Sequence, residues 1–194
     1  QRFDFVDNVR QLSCVNIGNP PSTTILGNIK YSVDSELREK NGCTITPTFM
    51  VVVLDSLSFE SWQTPYNGQN TNRNYGQANI NGSCRSRSEG YFMFRANSPT
   101  QLQGMRTMLL DSVPDGNYIL VYSWYNIKYS DVNVSNPAIM QTFTALGATK
   151  VTGISDSIPF IFAVKKGRPS TVKEVVGDSI NQQIELKMTL ISSS

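Results

Sequence analysis

The chain contains no histidine, which narrows the chemistry that its side chains can perform. Ser-His-Asp and Cys-His nucleophile systems need an imidazole base, and most zinc and iron sites use an imidazole ligand. Two carboxylates remain as candidates for acid and base catalysis, because Asp55 ends one apolar run and Asp156 precedes another. The simpler interpretation is that both serve turns and caps. We therefore expect no enzyme activity, and a carboxylate-based hydrolase is the remaining catalytic alternative.

Aromatic and arginine side chains are concentrated in two stretches that could bind a ligand. Aromatic rings stack on sugars or pack at protein interfaces, and guanidinium groups bind carboxylates and acidic glycans. If both stretches follow parallel strands, they lie at one edge of the sheet and converge with Asp55. In the alternative, the two tryptophans belong to the core. The candidate ligand-binding residues are Asp55, Trp62, Tyr66, Tyr75, Arg85, Arg87, Trp124, Tyr125 and Tyr129.

The three cysteines, Cys14, Cys43 and Cys84, lie far apart and show no CxxC spacing, so the sequence predicts no metal site. No dinucleotide or P-loop motif is present, and no cofactor is expected. In an oxidising compartment one disulfide and one free thiol are the simplest arrangement. Cys43 and Cys84 are the preferred pair, because both flank loops near the same predicted strand, and three unpaired thiols are the alternative. Asp55 and Asp131 could join a calcium site, although no DxDxDG spacing supports one.

The composition indicates a globular protein with a weakly charged surface. Charged residues make up 16% of the chain, against about 25% in typical domains. The net charge of +2 is too small to indicate nucleic-acid binding, and no apolar run approaches the roughly 20 residues of a membrane span. Asn, Ser, Thr and Gln fill the surface, a balance that is common in secreted and cell-surface proteins.

Helix and strand signals alternate along the middle of the chain. Two N-caps, each followed by a proline, predict helices over about 98–112 and 137–146. The apolar run 49–54 predicts a central strand covered on both faces, for which helices are the usual cover. Strand, helix and strand in this order predict right-handed crossovers. The predicted fold class is therefore α/β, with α+β possible: mixed, partly parallel twisted sheets with at least two covering helices.

The chain is predicted to contain one main domain, with segments of different character at both ends. Residues 1–24 are expected to be an irregular N-terminal segment, and residues 25–177 to form the α/β domain. Residues 63–89 form a long insertion loop, which is either functional or an inert surface decoration. Residues 182–191 alternate strictly between apolar and polar side chains, which predicts a half-buried strand. We expect the strand in 178–194 to belong to, or lead into, a following β domain.

Five sequence blocks carry a resemblance to known proteins: FMVVVLD (49–55), VPDGNYILVYS (113–123), FTALGA (143–148), IPFIFAVKKG (158–167) and KEVVG (173–177). Together they resemble a conserved non-catalytic region of large exported proteins that carry gingipain-type cysteine peptidase domains and leave the cell by type IX secretion. More distantly, the order of elements is similar to the interleukin-like EMT-inducer domain, whose fold is two twisted sheets lined by helices.

This resemblance implies a non-catalytic extracellular module of a larger bacterial protein that is exported or held at the cell surface. A gingipain-type active site needs a His and Cys pair, so the chain is not the peptidase domain. The implied role is protein–protein packing or scaffolding, with neighbouring domains or other cell-surface proteins as partners. The alternative is a glycan-binding module that uses the aromatic and Arg-rich loops.

Overall fold

The computed structural model describes residues 8–18, 28–40, 46–63, 75–78 and 90–193. Within these ranges the chain forms nine strands, three α-helices and one 3-10 helix, Val151–Gly153, and the first α-helix continues into a π-helical turn, Met108–Ser112. The elements in chain order are β1 (Val9–Ile17), β2 (Lys30–Val33), β3 (Glu36–Lys40), β4 (Thr48–Leu54), β5 (Phe92–Arg95), α1 (Pro99–Thr107), β6 (Tyr118–Trp124), α2 (Tyr129–Ser135), α3 (Ala138–Leu146), β7 (Phe160–Lys165), β8 (Arg168–Val176) and β9 (Gln183–Ile191).

Two sheets pack face to face, and the helices cover the outer face of the larger one. The four-stranded sheet has the order β3-β2-β1-β9, and the five-stranded sheet has the order β5-β4-β6-β7-β8. Side chains between the sheets form an inner apolar cluster. Side chains between the five-stranded sheet and the helices form an outer cluster. The five-stranded sheet is therefore the middle layer, and every residue of β4 and β6 is buried.

The predicted fold class is wrong, because every neighbouring strand pair in the described residues is antiparallel. The apolar run does form a strand covered on both faces, β4. Its alternate side chains, such as Val51 and Val52, enter the outer and inner clusters respectively. Helices cover only one of these faces, and the four-stranded sheet covers the other. Burial on two faces produces the same sequence pattern whichever layer supplies the second cover.

Helices occur over both predicted ranges, but the crossovers do not make neighbouring strands parallel. α1 begins after Ser98, whose hydroxyl accepts from the Gln101 N–H at 3.3 Å. It joins β5 to β6, which lie on either side of the antiparallel strand β4. The next connection runs through α2 and α3, and of these only α3 has a predicted counterpart, at 137–146. Since β6 and β7 pair antiparallel, this connection returns to the end of the sheet from which it left.

The first and last strands pair with each other along their whole length. β1 forms within the segment that was predicted to be irregular, and Val9 pairs with Ile191 at one end of the ladder. β9 alternates between exposed and buried residues, as predicted for a half-buried strand, and its partner strand lies in the same chain. The sequence of β1 alternates only weakly between apolar and polar residues, because the apolar Val9 faces outwards while the polar Asn16 is buried.

A buried asparagine links the two sheets. Asn16 on β1 is 0% exposed, and its Nδ2 donates to the Ser123 hydroxyl at 2.9 Å and to the Phe160 carbonyl at 3.0 Å. The Ser123 hydroxyl also accepts from the Phe160 N–H at 3.1 Å. The remaining acceptor of the amide, Asn16 Oδ1, accepts from the Ile17 N–H at 2.8 Å. Because β1 lies in one sheet and β6 and β7 in the other, these bonds fix the stacking of the sheets at this point.

Replacing this amide should destabilise the protein more than the same change on the exposed face of β1. Asn16→Leu conserves approximate size but leaves buried groups of Ile17, Ser123 and Phe160 without their partner, so we expect a loss of roughly 2–3 kcal/mol in the free energy of unfolding. Gln11→Leu is the matched control, because Gln11 is exposed and, among the described residues, its side chain forms hydrogen bonds only with the Thr189 hydroxyl. Urea unfolding measures both variants, and equal losses would contradict the structural role of Asn16.

Candidate functional site

A cleft of about 200 Å³ opens at one end of the five-stranded sheet, where β4 begins and β5 and β6 end. The strand register brings these three points together, because Thr48 pairs with both Arg95 and Trp124. The Ala96 N–H donates to the Pro47 carbonyl at 3.1 Å, which holds two of the adjoining loops side by side. The cleft is lined by Pro47, Ala96, Asn97, Tyr125, Asn126, Lys128 and Asp131.

The loop after β6 holds two cleft residues in unfavourable states. Tyr125 has a φ of 63°, in the left-handed region that bulky side chains rarely adopt. The Ile127 N–H donates to the Tyr125 carbonyl at 3.2 Å, which closes a tight turn. The Oδ1 atom of Asn126 is buried and has no hydrogen-bond partner in the part of the chain that the structure describes. Each feature costs on the order of 1–3 kcal/mol, and such costs are concentrated at functional sites.

Charged side chains stand around the start of α2. Lys128 and Asp131 line the cleft and are both exposed. The Asp156 carboxylate accepts from the Ser130 N–H at 2.9 Å and from the Ser130 hydroxyl at 2.7 Å. The backbone bond, and after it the hydroxyl bond, lower the pKa of Asp156, and the charge of Lys128 contributes in the same direction. Asp156 is therefore an anionic acceptor that holds the first turn of α2 in place.

Two of the predicted ligand-binding aromatic residues are core residues in this structure. Trp124 is 0% exposed in the inner cluster, and Tyr129 is 1% exposed in the outer cluster. The Tyr129 hydroxyl donates to the Ile158 carbonyl at 2.8 Å, and burial raises the pKa of this phenol far above its ordinary value. Of the three aromatic residues predicted in this stretch, Tyr125 is the one that lines the cleft.

Trp62 and Tyr75 are half-buried and pack against the outer cluster. The Trp62 N–H donates to the Val53 carbonyl at 2.8 Å, so Trp62 lies along the edge of β4. The Tyr75 ring meets Phe92 edge to face, with 6.0 Å between ring centroids. A Cβ atom at Gly104 of α1 would overlap the Tyr75 carbonyl, so this close approach requires glycine. Both residues cover the sheet, away from the lining of the cleft.

Asp55 lies at the opposite end of the sheet from the cleft, so the predicted convergence with Tyr125 is wrong. β4 and β6 are antiparallel, and Leu54, just before Asp55, pairs with Tyr118 at the start of β6. The two ends of β6 are about 20 Å apart at roughly 3.3 Å per residue. The Asp55 carboxylate accepts from the N–H groups of Ser58 and Leu57 at 3.0 and 2.9 Å, and these bonds lower its pKa. Asp55 therefore organises a turn and shares no site with Asp131.

Five predicted residues lie outside the described residues: Tyr66, Arg85, Arg87, Cys43 and Cys84. The Arg-rich part of the ligand site and the Cys43–Cys84 disulfide therefore stay predictions. The third cysteine, Cys14, is a free thiol that is 0% exposed in the inner cluster. Burial raises the pKa of this thiol, which keeps it protonated and unreactive.

Of the residues that surround Tyr125 in the cleft, the sequence singled out Asp131, as a possible calcium ligand, and none of the others. Pro47 directly precedes β4, Ala96 directly follows β5, and Asn126 and Lys128 follow β6. Their positions beside strand ends are visible in the sequence, but their proximity depends on strand direction. Antiparallel pairing of β4 with both neighbours brings these flanks together, whereas the predicted parallel arrangement places Asp55 beside Tyr125.

The fold and the cleft define an antiparallel two-sheet sandwich with a helical layer on one face. A scan against protein-family models finds no match to the chain, and a search of the curated proteins finds no significant relative. In the described ranges, no group of three or more His, Cys, Asp or Glu side chains could hold a metal ion. The helices of these ranges are too short, or too polar, to cross a membrane.

Removing the Asp156 carboxylate should destabilise the protein in a pH-dependent way. Because the folded pKa of Asp156 is lowered, its contribution to stability is present above the unfolded carboxyl pKa of about 4 and is lost as pH falls through the lower folded value. Asp156→Asn should therefore have a lower Tm than the wild type at neutral pH, and the two should converge in acid. Thermal unfolding followed by circular dichroism measures this difference.

Asp178→Asn is the control for this experiment, because Asp178 is exposed and its carboxylate makes no hydrogen bond with the described residues. This control should track the wild type at every pH. A Tm difference between Asp156→Asn and the wild type that is the same in acid and at neutral pH would contradict the assignment.

Proposed function

We propose that the protein is a non-catalytic extracellular module of a larger exported or cell-surface protein, and that it binds a glycan in the cleft. The observation that carries this proposal is the composition of the lining. Pro47, Ala96 and Tyr125 supply apolar surface, while Asn97 and Asn126 supply side-chain amides. A sugar ring has apolar C–H surface, which packs on an aromatic ring, and hydroxyl groups, which both donate and accept. The Asn97 amide matches those hydroxyls because an amide also donates and accepts, whereas Asn126 Oδ1 is buried, which leaves the NH2 group as the part of that amide that can bond a ligand.

The charges around the cleft favour a neutral glycan. Lys128 and Asp131 both line it, and their charges are opposite. An acidic sugar would gain from Lys128 but would meet Asp131, and the Asp156 carboxylate lies close enough to Lys128 for their charges to interact. An uncharged, polyhydroxylated ring can instead accept from the ammonium group and donate to the carboxylate.

The roles of three carboxylates support a binding module over a hydrolase. Asp55 and Asp156 accept backbone hydrogen bonds that lower their pKa values, so neither is suited to hold a proton near neutral pH. Glu174 on β8 accepts from the N–H groups of Thr149, Lys150 and Val151 at 2.6, 2.8 and 2.9 Å. Each carboxylate therefore has an identifiable structural task, as the turn-and-cap interpretation expects.

The extracellular setting rests on sequence observations. The weakly charged, Asn- and Ser-rich composition is common in secreted modules, and the five sequence blocks resemble a non-catalytic region of type IX-secreted, gingipain-type proteins. The two-layered sheet arrangement with helices along one face also suits the interleukin-like EMT-inducer architecture, which is two twisted sheets lined by helices.

Glycan binding can be tested by titrating the isotope-labelled protein with neutral methyl pyranosides and oligosaccharides, with chemical shifts as the readout. We expect the amide signals of Ala96, Asn97 and Asn126 to move in the roughly millimolar range typical of single-sugar contacts. Asp131→Ala should weaken binding about three- to tenfold, because one charge-assisted hydrogen bond is lost. Asn133→Ala is the control, since Asn133 is exposed on the same helix outside the cleft. Shifts spread over the surface, or none, would contradict the proposal.

Protein–protein packing is the second candidate role, and one exposed apolar group favours it. Val9 and Ile191 are 53% and 45% exposed and pair across the β1–β9 ladder on the outer face of the four-stranded sheet. Leu57 is 60% exposed and lies in a turn close to Ile191. The two are close because the Ser193 N–H, two residues after Ile191, donates to the carbonyl of Ser56, the neighbour of Leu57, at 2.9 Å. A neighbouring domain or protein that covered these side chains would gain about 25 cal/mol per Å² of apolar area removed from water.

Hydrogen–deuterium exchange can test this packing role by comparing the isolated chain with the native polypeptide or complex in which it occurs. A covering partner should slow the exchange of amides in the turn after β4 and at the paired ends of β1 and β9. The cleft loop after β6 provides an internal reference, because it lies at the other end of the five-stranded sheet. Unchanged exchange around Leu57 and Ile191 in the native material would argue against packing at this surface.

A further inference from the structure

We infer that the strained backbone of Tyr125 is retained because it presents the tyrosine ring as the stacking surface for a single pyranose ring, an inference that rests on the proposed glycan-binding function. The ring is half-buried and lines the cleft, while the backbone has a φ of 63°. Glycine or asparagine adopts this conformation with less strain. Folding alone would therefore favour a smaller residue at this position.

Three of the other four left-handed residues that are not glycine, in the described ranges, have local explanations that Tyr125 lacks. The fourth, Ser157, has a small side chain and donates its N–H to the Ile127 carbonyl at 2.8 Å. Asp34 and Ser35 form the two-residue turn between β2 and β3, where paired positive φ values match the twist of the hairpin. Phe59 is 0% exposed, and its ring packs on Tyr118 in the inner cluster, so core packing offsets its strain. Tyr125 packs against the inner cluster only in part, and the rest of its side chain faces the cleft.

The residue after Tyr125 adds a second unfavourable feature at the same place. Asn126 Oδ1 is buried without a hydrogen-bond partner among the described residues. Tyr125 therefore has a strained backbone and Asn126 has an unpaired buried oxygen, and both residues line the cleft. Unfavourable states that coincide at a cleft are expected where binding, rather than folding, selects the conformation.

The dimensions of the cleft limit the ligand to one ring. Its volume of about 200 Å³ lies below the roughly 300–1,000 Å³ of pockets that enclose drug-sized ligands. Pro47 and Ala96 are the other apolar members of its lining, and Asn97, Lys128 and Asp131 supply the polar groups. A terminal sugar or monosaccharide fits this size, and further sugars of a chain would extend into solvent.

Three variants at Tyr125 separate the role of the ring from the strain of the backbone. Tyr125→Phe keeps the ring, and binding of methyl pyranosides should stay within about threefold of the wild type. Tyr125→Ala and Tyr125→Gly both lose the ring, and both should lose about tenfold or more in affinity. Tyr125→Gly should nevertheless have a higher Tm than Tyr125→Ala by roughly 2–4 °C, because only glycine relieves the left-handed strain.

Gln103 provides the control pair, because it is exposed in the middle of α1. There Gln103→Gly should have a lower Tm than Gln103→Ala, because glycine is less favourable than alanine inside a helix.

If the wild type binds no pyranoside, both the proposed function and this inference fail. If the wild type binds and Tyr125→Ala binds equally well, the inference alone fails. If Tyr125→Gly is less stable than Tyr125→Ala, the backbone at Tyr125 is not strained, and the inference fails even if the pyranoside affinities change as expected.

Discussion

The architecture depends on the burial of β4, β6 and β7 on both faces. These strands present large apolar side chains to both sides of one sheet, so a stable fold needs two separate covers. Helices provide one cover and the four-stranded sheet provides the other. The polar contact of Asn16 with Ser123 and Phe160 then adds directional specificity, since apolar contacts alone permit many relative positions of two sheets.

Local signals in the sequence predicted individual elements better than their arrangement. The Ser98-Pro99 start of α1, the apolar strand β4 and the alternating strand β9 all form where the pattern indicates them. Strand direction was not predictable, because neither alternation nor apolar runs record which way a neighbour runs. β1 was missed for a related reason: its inner face carries Asn16, whose burial is favourable only because partners from β6 and β7 are present.

The candidate site shows the same division between local and long-range information. Tyr125 was predicted from its chemistry and its position after a buried strand, and it does line the cleft. Trp124, next to it, has similar chemistry but is fully buried in the inner cluster as the last residue of β6, whereas Tyr125 follows the strand with a left-handed backbone and packs against the same cluster only in part. The partners of Tyr125 come from residues far away in the chain, Pro47 and Ala96, and antiparallel register alone brings them together.

The pairing of β1 with β9 also has a consequence for how the protein acquires its structure. Val9 and Ile191 are joined in one ladder although almost the whole chain separates them. During synthesis β1 lacks this neighbour until the last strand emerges, and the inner face of the middle sheet stays incompletely covered until then. Closing so long a loop carries a large entropic cost before any contact offsets it, and topologies dominated by such non-local pairs fold slowly. The two-sheet sandwich therefore forms late, after β9 has been synthesised, rather than segment by segment.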